Sequence, residues 1–279
     1  VFGGCFHRCR WEMPDGEIAK CYAEELANNG LARRGYPQGF EHHYYRPDKL
    51  KELVRGKTPA LIFMDSMSDL FGHWVPEEEI RTVLRTMAQA PQHVYQSLTK
   101  APARILKFLD DLPSNLWVGV SSAPDFMMGH KLTGSQQEAY MKRALSTLET
   151  VKQTTGNIVW MSLEPLSWDM AYLFKDHPLD WVVIGAASNG PKYFQPDPEH
   201  VANLLPAFAS TPVFYKGNIK ACIEGNGLGR WREDFPAFYR DGSPIAAVQQ
   251  RQEDAIQYDW ALNEYLSEGM MPVKQMVLF

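Results

Sequence analysis

The chain has 279 residues, 45% of them hydrophobic and 22% charged, a balance usual for a folded protein able to bury one large core or two smaller ones. Its formal net charge of -5 supplies no overall attraction to nucleic acid, so a polynucleotide partner would need a local basic patch. No apolar run approaches the roughly eighteen residues of a membrane span, and no membrane partner is expected. The sequence opens on Val1 rather than Met, so a leading segment is expected ahead of it. Nothing near the start reads as a signal peptide, and a cytoplasmic location is expected.

The first informative feature is a cluster of three cysteines, Cys5, Cys9 and Cys21, in a chain whose one other cysteine is Cys222. Three clustered thiolates can hold three irons of a cubane 4Fe-4S cluster and leave the fourth iron open to a small molecule. A zinc site of the Cys3His type is the rival, because His7 lies between Cys5 and Cys9, although common zinc ligands pair as CxxC or HxxxH. Disulfides fit poorly, since one of three thiols would be left over. Cys222 reads as a lone buried thiol. Eleven residues separate Cys9 from Cys21, and the Pro14-Asp15-Gly16 turn within them reads as an insertion that could fold the third thiol back. Closing such a lengthened loop costs only about 1 to 2 kcal/mol.

A helix is predicted from about Tyr22, then a first strand over 40–45. Six further short, nearly continuous apolar runs follow at 60–64, 93–98, 116–120, 158–163, 181–186 and 212–215, as expected for parallel strands covered on both faces. Between them lie helical patterns at 76–89, 138–150 and 198–208. The first opens with Pro76 and three glutamates suited to a helix N-terminus. The alternation predicts an α/β protein built as a full or partial (β/α) TIM-type barrel, with an N-terminal cluster loop and a C-terminal helical extension. A doubly wound sheet is the alternative. The barrel is expected over 1–220 and the extension over 221–279, with a helix at 245–266 and the Gly225, Gly227, Gly229 loop as a turn.

Polar groups follow almost every strand, and in a barrel these converge on the C-terminal rim. They are residues 65–69, Thr99 and Lys100, Ser121 and Ser122, Glu164 and Pro165, 188–190, and 216–218. Lys100 and Lys216 could meet a phosphate or carboxylate there, or could simply be solvated rim lysines. Met64 and Met67 read as packing residues, and His42 and His43 as loop or core histidines. Tyr22 and Trp11 could cover the metal group and exclude solvent.

Several of these stretches occur together in a known family. Gly4-Cys5, Cys21-Tyr22-Ala23-Glu24, the run from Asp65 to Phe71, Leu98-Thr99-Lys100, the run from Ser162 to Leu166 and the glycine-bearing stretch 185–190 resemble the radical S-adenosylmethionine (SAM) superfamily. They are closest to a phage-associated family linked to thymidine hypermodification in viral DNA. The resemblance spans residues 3 to about 220. It departs from the superfamily in spacing, because Cys9 and Cys21 stand where two intervening residues are usual.

The resemblance implies that Cys5, Cys9 and Cys21 hold a 4Fe-4S cluster and that SAM binds its open iron. It implies a 5'-deoxyadenosyl radical that abstracts hydrogen from the substrate, with reduction by an external donor such as flavodoxin or ferredoxin. It places SAM contacts at Ser66, Ser68 and Asp69, with Asp65 as second choice, at Ser121 and Ser122, and at Ser188 and Asn189. Lys100, Glu164 and Lys216 become the candidate catalytic groups. The substrate it implies is a thymidine in phage DNA, whose N-linked glycyl group is rejoined through the α-carbon, in the host-cell cytoplasm. Arg33, Arg34, Arg46, Lys49, Lys51 and Arg55 could form a phosphate-tracking rim. A radical SAM lyase acting on DNA photolesions is the second expectation. A non-catalytic, zinc-stabilised partner protein is the third.

Overall fold

A computed structural model describes residues 1–12, 16–29, 34–189 and 192–236. The expected helix at 245–266 lies outside the described residues.

In chain order, β1 (Phe2–Gly3), β2 (Arg10–Glu12) and β3 (Ile18–Lys20) lead into α1 (Tyr22–Asn28) and β4 (Tyr44–Tyr45). There follow α2 (Leu50–Leu53), β5 (Leu61–Phe63), α3 (Glu77–Ala88), β6 (Val94–Thr99), α4 (Pro102–Ile105) and β7 (Leu116–Ser121). Next come β8 (Phe126–Met127), β9 (His130–Lys131), α5 (Gly134–Thr155), β10 (Val159–Leu163) and β11 (Trp181–Ile184). The described chain closes with β12 (Ala187–Asn189), β13 (Lys192–Phe194), α6 (Pro198–Leu204), β14 (Val213–Tyr215) and α7 (Lys220–Gly225).

The six continuous apolar runs become one parallel sheet in the order β14-β11-β10-β7-β6-β5. The order follows the chain without reversal. A doubly wound sheet would need a switch point where the order turns back, and there is none here. Same-handed crossovers then lay the helices on one face, and the sheet curls into a half-barrel. The stretch at 40–45 is not one of its strands, contrary to expectation. Tyr44 and Tyr45 pair antiparallel with Gly3 and Phe2 instead, tying down the N-terminal segment. Histidine and tyrosine there give an edge-strand pattern, not the unbroken β-branched run of a doubly covered strand.

Side-chain alternation divides the sheet cleanly. Leu116, Val118, Val120, Val159, Met161, Leu163, Val182 and Ile184 join the main core beneath the helices. Trp117, Trp160, Trp181, Val94 and Val183 point the other way and form a separate cluster with Leu61, Phe63, Leu98 and Phe214. These indoles floor the lumen at the N-terminal end of the strands. Gly119 is required there, because a Cβ would sit 2.3 Å from the Trp160 ring. Phe235 stacks on Trp181 at 5.2 Å and the Trp181 indole donates to the Asp234 carbonyl, so the chain after β14 seals the floor.

The helices carry readable signals. Helix α5 begins with a capping box between Thr133 and Gln136 and ends on Gly156 in the left-handed region at φ 71°. Helix α3 starts after Pro76 with Glu77, Glu78 and Glu79 in its first turn and buries Ile80, Val83, Leu84 and Met87. No helix among the described residues is long and apolar enough to cross a membrane.

Candidate active site

The stretch between Cys9 and Cys21 folds as a hairpin. Arg10 pairs with Lys20, Trp11 with Ala19 and Glu12 with Ile18. Because β2 starts one residue after Cys9 and β3 ends one residue before Cys21, antiparallel register sets the two cysteines opposite each other at the hairpin's open end. The excess length is absorbed in the arm. Arg10 fixes that end: its guanidinium donates to the Cys9 carbonyl at 2.7 Å and pairs with Glu24 at 2.7 Å. Glu24, the last residue of Cys-Tyr-Ala-Glu, therefore clamps the third cysteine's helix to the second cysteine's backbone.

Cys5 is positioned from the other side. Gly4 has φ 86°, and a Cβ there would lie 1.8 Å from the His42 carbonyl oxygen, so only glycine can precede this cysteine. The Gly4 amide donates to the Met67 carbonyl at 2.9 Å and the Cys5 amide to the Phe40 carbonyl at 2.9 Å. Ser68 donates its hydroxyl to the Gly4 carbonyl at 2.8 Å. The loop after β5 thus carries the cysteine loop directly on its back.

All four cysteines are free, with Cys9 buried and Cys5 and Cys21 half-buried. Burial pushes the Cys9 thiol up to about 12, with Lys100 opposing the shift and Cys21 and Asp69 adding to it. Cys5 is raised well above the usual thiol range by burial, then by Cys9 and Asp69, with Cys21 contributing less. The three N-terminal thiols thus lie within electrostatic reach of one another. Among the described residues, no three His, Cys, Asp or Glu side chains are gathered closely enough to hold a single metal ion.

Asp69 is the keystone beneath them. It is 3% exposed, and its Oδ2 lies 2.7 Å from His7 Nε2 and accepts from the Lys100 amide at 2.8 Å. Its Oδ1 accepts from the Phe71 amide at 2.9 Å. Burial alone would raise its pKa, but the His7 hydrogen bond and charge, the Lys100 amide and Thr99 together hold it below the carboxylate range. Asp69 and Ser68, expected from sequence to face a cofactor, spend their polar atoms inside the protein. Ser66 contributes its carbonyl, which accepts from Tyr22 Oη at 2.7 Å.

Asp65 is different. It takes φ 58° two residues past the end of β5, and both of its carboxylate oxygens are buried with no side-chain hydrogen bond. Desolvation raises its pKa to about 6, opposed by the Val1 ammonium and by the Phe2 backbone amide, with Asp69 adding to the rise. A carboxyl whose folded pKa exceeds its unfolded value favours folding while protonated, and that advantage is lost as pH rises through about 6. Asp65→Asn, which tolerates the left-handed backbone, is expected to stabilise the protein by about 2 to 3 kcal/mol at pH 8 and by almost nothing at pH 4. Urea midpoints at the two pH values check this.

Further round the rim, Ser121 and Ser122 are buried at the end of β7. Tyr140 Oη donates to the Ser121 carbonyl at 2.9 Å, and the Ser122 amide donates to the Ser162 carbonyl at 2.8 Å. Glu164, after β10, pairs with Lys216 Nζ at 2.8 Å and accepts from Asn218 Nδ2 at 3.1 Å. Gly185 leaves room for that carboxylate, since a Cβ would lie 3.0 Å from it. Tyr22 is 42% exposed, and partial desolvation of its phenol still raises its pKa, with Cys21 and then Glu164 adding to the rise. Ser188 and Asn189 fall on β12, which pairs with β13 as a rim hairpin. Ala187 and Phe194 of that hairpin pack with Ala19 and Trp11 of the cysteine hairpin.

Two residues noticed in the sequence, Asn218 on the polar rim and His7 as a possible zinc ligand, take structural roles it did not assign them. Asn218 also exchanges hydrogen bonds with the Ala186 backbone, through Oδ1 at 3.0 Å and Nδ2 at 2.6 Å. His7 serves as a buried latch on Asp69. Neither carries a periodic or motif signal, because each role depends on a partner more than thirty residues away in the chain.

Residues 12–218 match the family described as "Protein of unknown function (DUF5131)". The chain belongs to this family. The family's matched region includes Cys21 and every barrel strand but begins after Cys5 and Cys9. Among curated proteins none matches. Among solved structures, spore photoproduct lyase complexed with dinucleoside spore photoproduct aligns at 10% identity and TM-score 0.42, over 76% of this chain and 60% of that one. A 2,3-dimethylmalate lyase of the PEP mutase/isocitrate lyase superfamily aligns at 9% identity and TM-score 0.32, over 74% and 72%. An EAL enzyme in its cAMP- and cyclic-di-GMP-bound form aligns at 10% identity and TM-score 0.32, over 80% and 53%.

Proposed function

We propose that the protein is a radical SAM enzyme in which Cys5, Cys9 and Cys21 hold a 4Fe-4S cluster on the C-terminal rim of the half-barrel. Such a cluster, with SAM on its open iron, supplies a 5'-deoxyadenosyl radical for hydrogen abstraction. The observation that carries this reading is the hairpin register, which returns Cys21 to Cys9 across eleven residues.

The donor set suits the group in type and number. Three soft thiolates match three irons. A lone zinc ion needs its donors converging at about 2.3 Å on one point, whereas ligands to separate irons stand further apart. His7, the fourth donor a zinc site would draw on, has its Nε2 engaged by Asp69.

The remaining residues have clear tasks. Asp69, Ser68 and Arg10 hold the cysteine loop in place, and Tyr22 and Trp11 shield it from water. The tryptophan floor keeps solvent out from below. Glu164, Lys216 and Asn218 offer both charges and an amide to a polar substrate on the opposite side of the mouth. Asp65 offers a buried carboxylate near the cysteine loop.

For the substrate we infer, from the resemblance, a phage-DNA thymidine bearing a glycyl group joined through nitrogen to its methyl carbon. Abstraction of the glycyl α-hydrogen leaves a stabilised carbon radical that can migrate to the C-linked isomer. A base in a duplex would first have to leave the stack. The electron comes from a flavodoxin- or ferredoxin-type donor.

Anaerobically reconstituted protein should show the broad absorbance of an iron-sulfur cluster and release 5'-deoxyadenosine from SAM with reductant. A colourless protein holding stoichiometric zinc would eliminate the radical reading. Nucleoside mass spectrometry after incubation with glycyl-modified DNA and with photolesion DNA separates isomerase from lyase.

A further inference from the structure

Lys100 follows β6, and its backbone amide is held by Asp69 Oδ2 at 2.8 Å, the same oxygen that binds His7 between the first two cysteines. Its ammonium lies 6.0 Å from the Trp11 ring, two residues past Cys9. The side chain is half-buried, and among the described residues no carboxylate stands within ion-pair distance of Nζ. Lys216 across the mouth, by contrast, has Glu164. Withdrawing an ammonium from water without a counter-charge is costly, so a retained cation implies a negative partner.

What lies around Lys100 is the cysteine loop, through Trp11 two residues past Cys9 and through Asp69, which links the Lys100 amide to His7 between Cys5 and Cys9, so a metal-thiolate group held by that loop would supply the negative partner. A fixed positive charge beside a metal-thiolate group favours the state with one more electron, since reduction adds one negative charge nearby.

We propose that Lys100 is a positioning residue that sets the reduction potential of the group held by Cys5, Cys9 and Cys21, its ammonium serving as the built-in counter-cation of the reduced state. This rests on the iron-sulfur reading above. The electron arrives from an external one-electron donor, and no bond to Lys100 forms or breaks.

The test is a spectroelectrochemical titration of anaerobically reconstituted wild type, Lys100→Met, Lys100→Gln and Lys100→Arg, without SAM, with iron and sulfide counted in each. The expected result is full iron in all four, with midpoint potentials shifted negative in Met and Gln and near wild type in Arg. Full iron with unchanged midpoints in Met and Gln overturns the proposal and leaves the cluster reading intact. Iron lost from both neutral variants but kept in Arg also overturns it, because the cation would then serve assembly. Wild type that takes up no iron sinks the parent reading itself.

Discussion

Cys21→Ala, reconstituted with iron and sulfide, is expected to lose almost all cluster absorbance, while Cys222→Ala keeps it. Cys21 sits at the open end of the β2–β3 hairpin opposite Cys9, where no other described thiol can take its place. Cys222 lies in α7 within the main core, 2% exposed, with its Sγ 3.7 Å from the Pro196 carbonyl. Removing that sulfur leaves a small cavity costing about 1 to 2 kcal/mol, which lowers the melting temperature without touching iron content. Iron and acid-labile sulfide assays on both variants decide the matter. Equal iron in the two would show that the ligands lie elsewhere.

The second large effect belongs to Asp69. Replacing it with alanine strands His7 and the Phe71 and Lys100 amides in a buried environment. Breaking a buried, charge-assisted network from one side costs about 3 to 5 kcal/mol, or roughly 10 °C in the melting temperature of a domain this size. The pH dependence has a definite sign. The folded pKa of Asp69 is depressed, so its contribution is complete above the ordinary carboxylate range and disappears as pH falls through the lowered value. The stability gap between wild type and Asp69→Asn is therefore widest at neutral pH and narrows on acidification. A gap independent of pH would mean that the carboxylate is not held ionised by its neighbours. Thermal melts across an acid series read this out.

What could be read in advance follows the physics of each element. Leu116 to Ser121 and Val159 to Leu163 are buried on both faces, and such strands must be apolar nearly throughout, so their sequences announce them, whereas the equally central Val94 to Thr99 carries Gln96, Ser97 and Thr99 and is announced less clearly. The sheet's sequential order was not legible, because it is set by which faces the helices cover. The segment ending in Tyr44-Tyr45 resembled a strand and is one, but its partner is β1 at the N-terminus. Pairing partners so remote in the chain leave no local trace.

At the site, sequence located the polar rim but could not separate struts from open groups. Ser68 and Asp69 look like ligand-holding residues by type and position, yet each is already engaged by the cysteine loop. Asp65, the second choice on sequence, makes no side-chain hydrogen bond. Lys100 and Lys216 were indistinguishable as rim lysines. Lys216 proves to be paired with Glu164, and the Lys100 ammonium stands 6.0 Å from the Trp11 ring.

The hairpin between Cys9 and Cys21 separates distance along the chain from distance in space. Lengthening or trimming such an arm by one residue on each strand preserves which positions face each other at its base, so the thiols keep their places. The arm is thereby free to vary in reach and in the chemistry of its tip. A linear cysteine count will misjudge chains built this way, and cross-strand register is the better ruler for finding them.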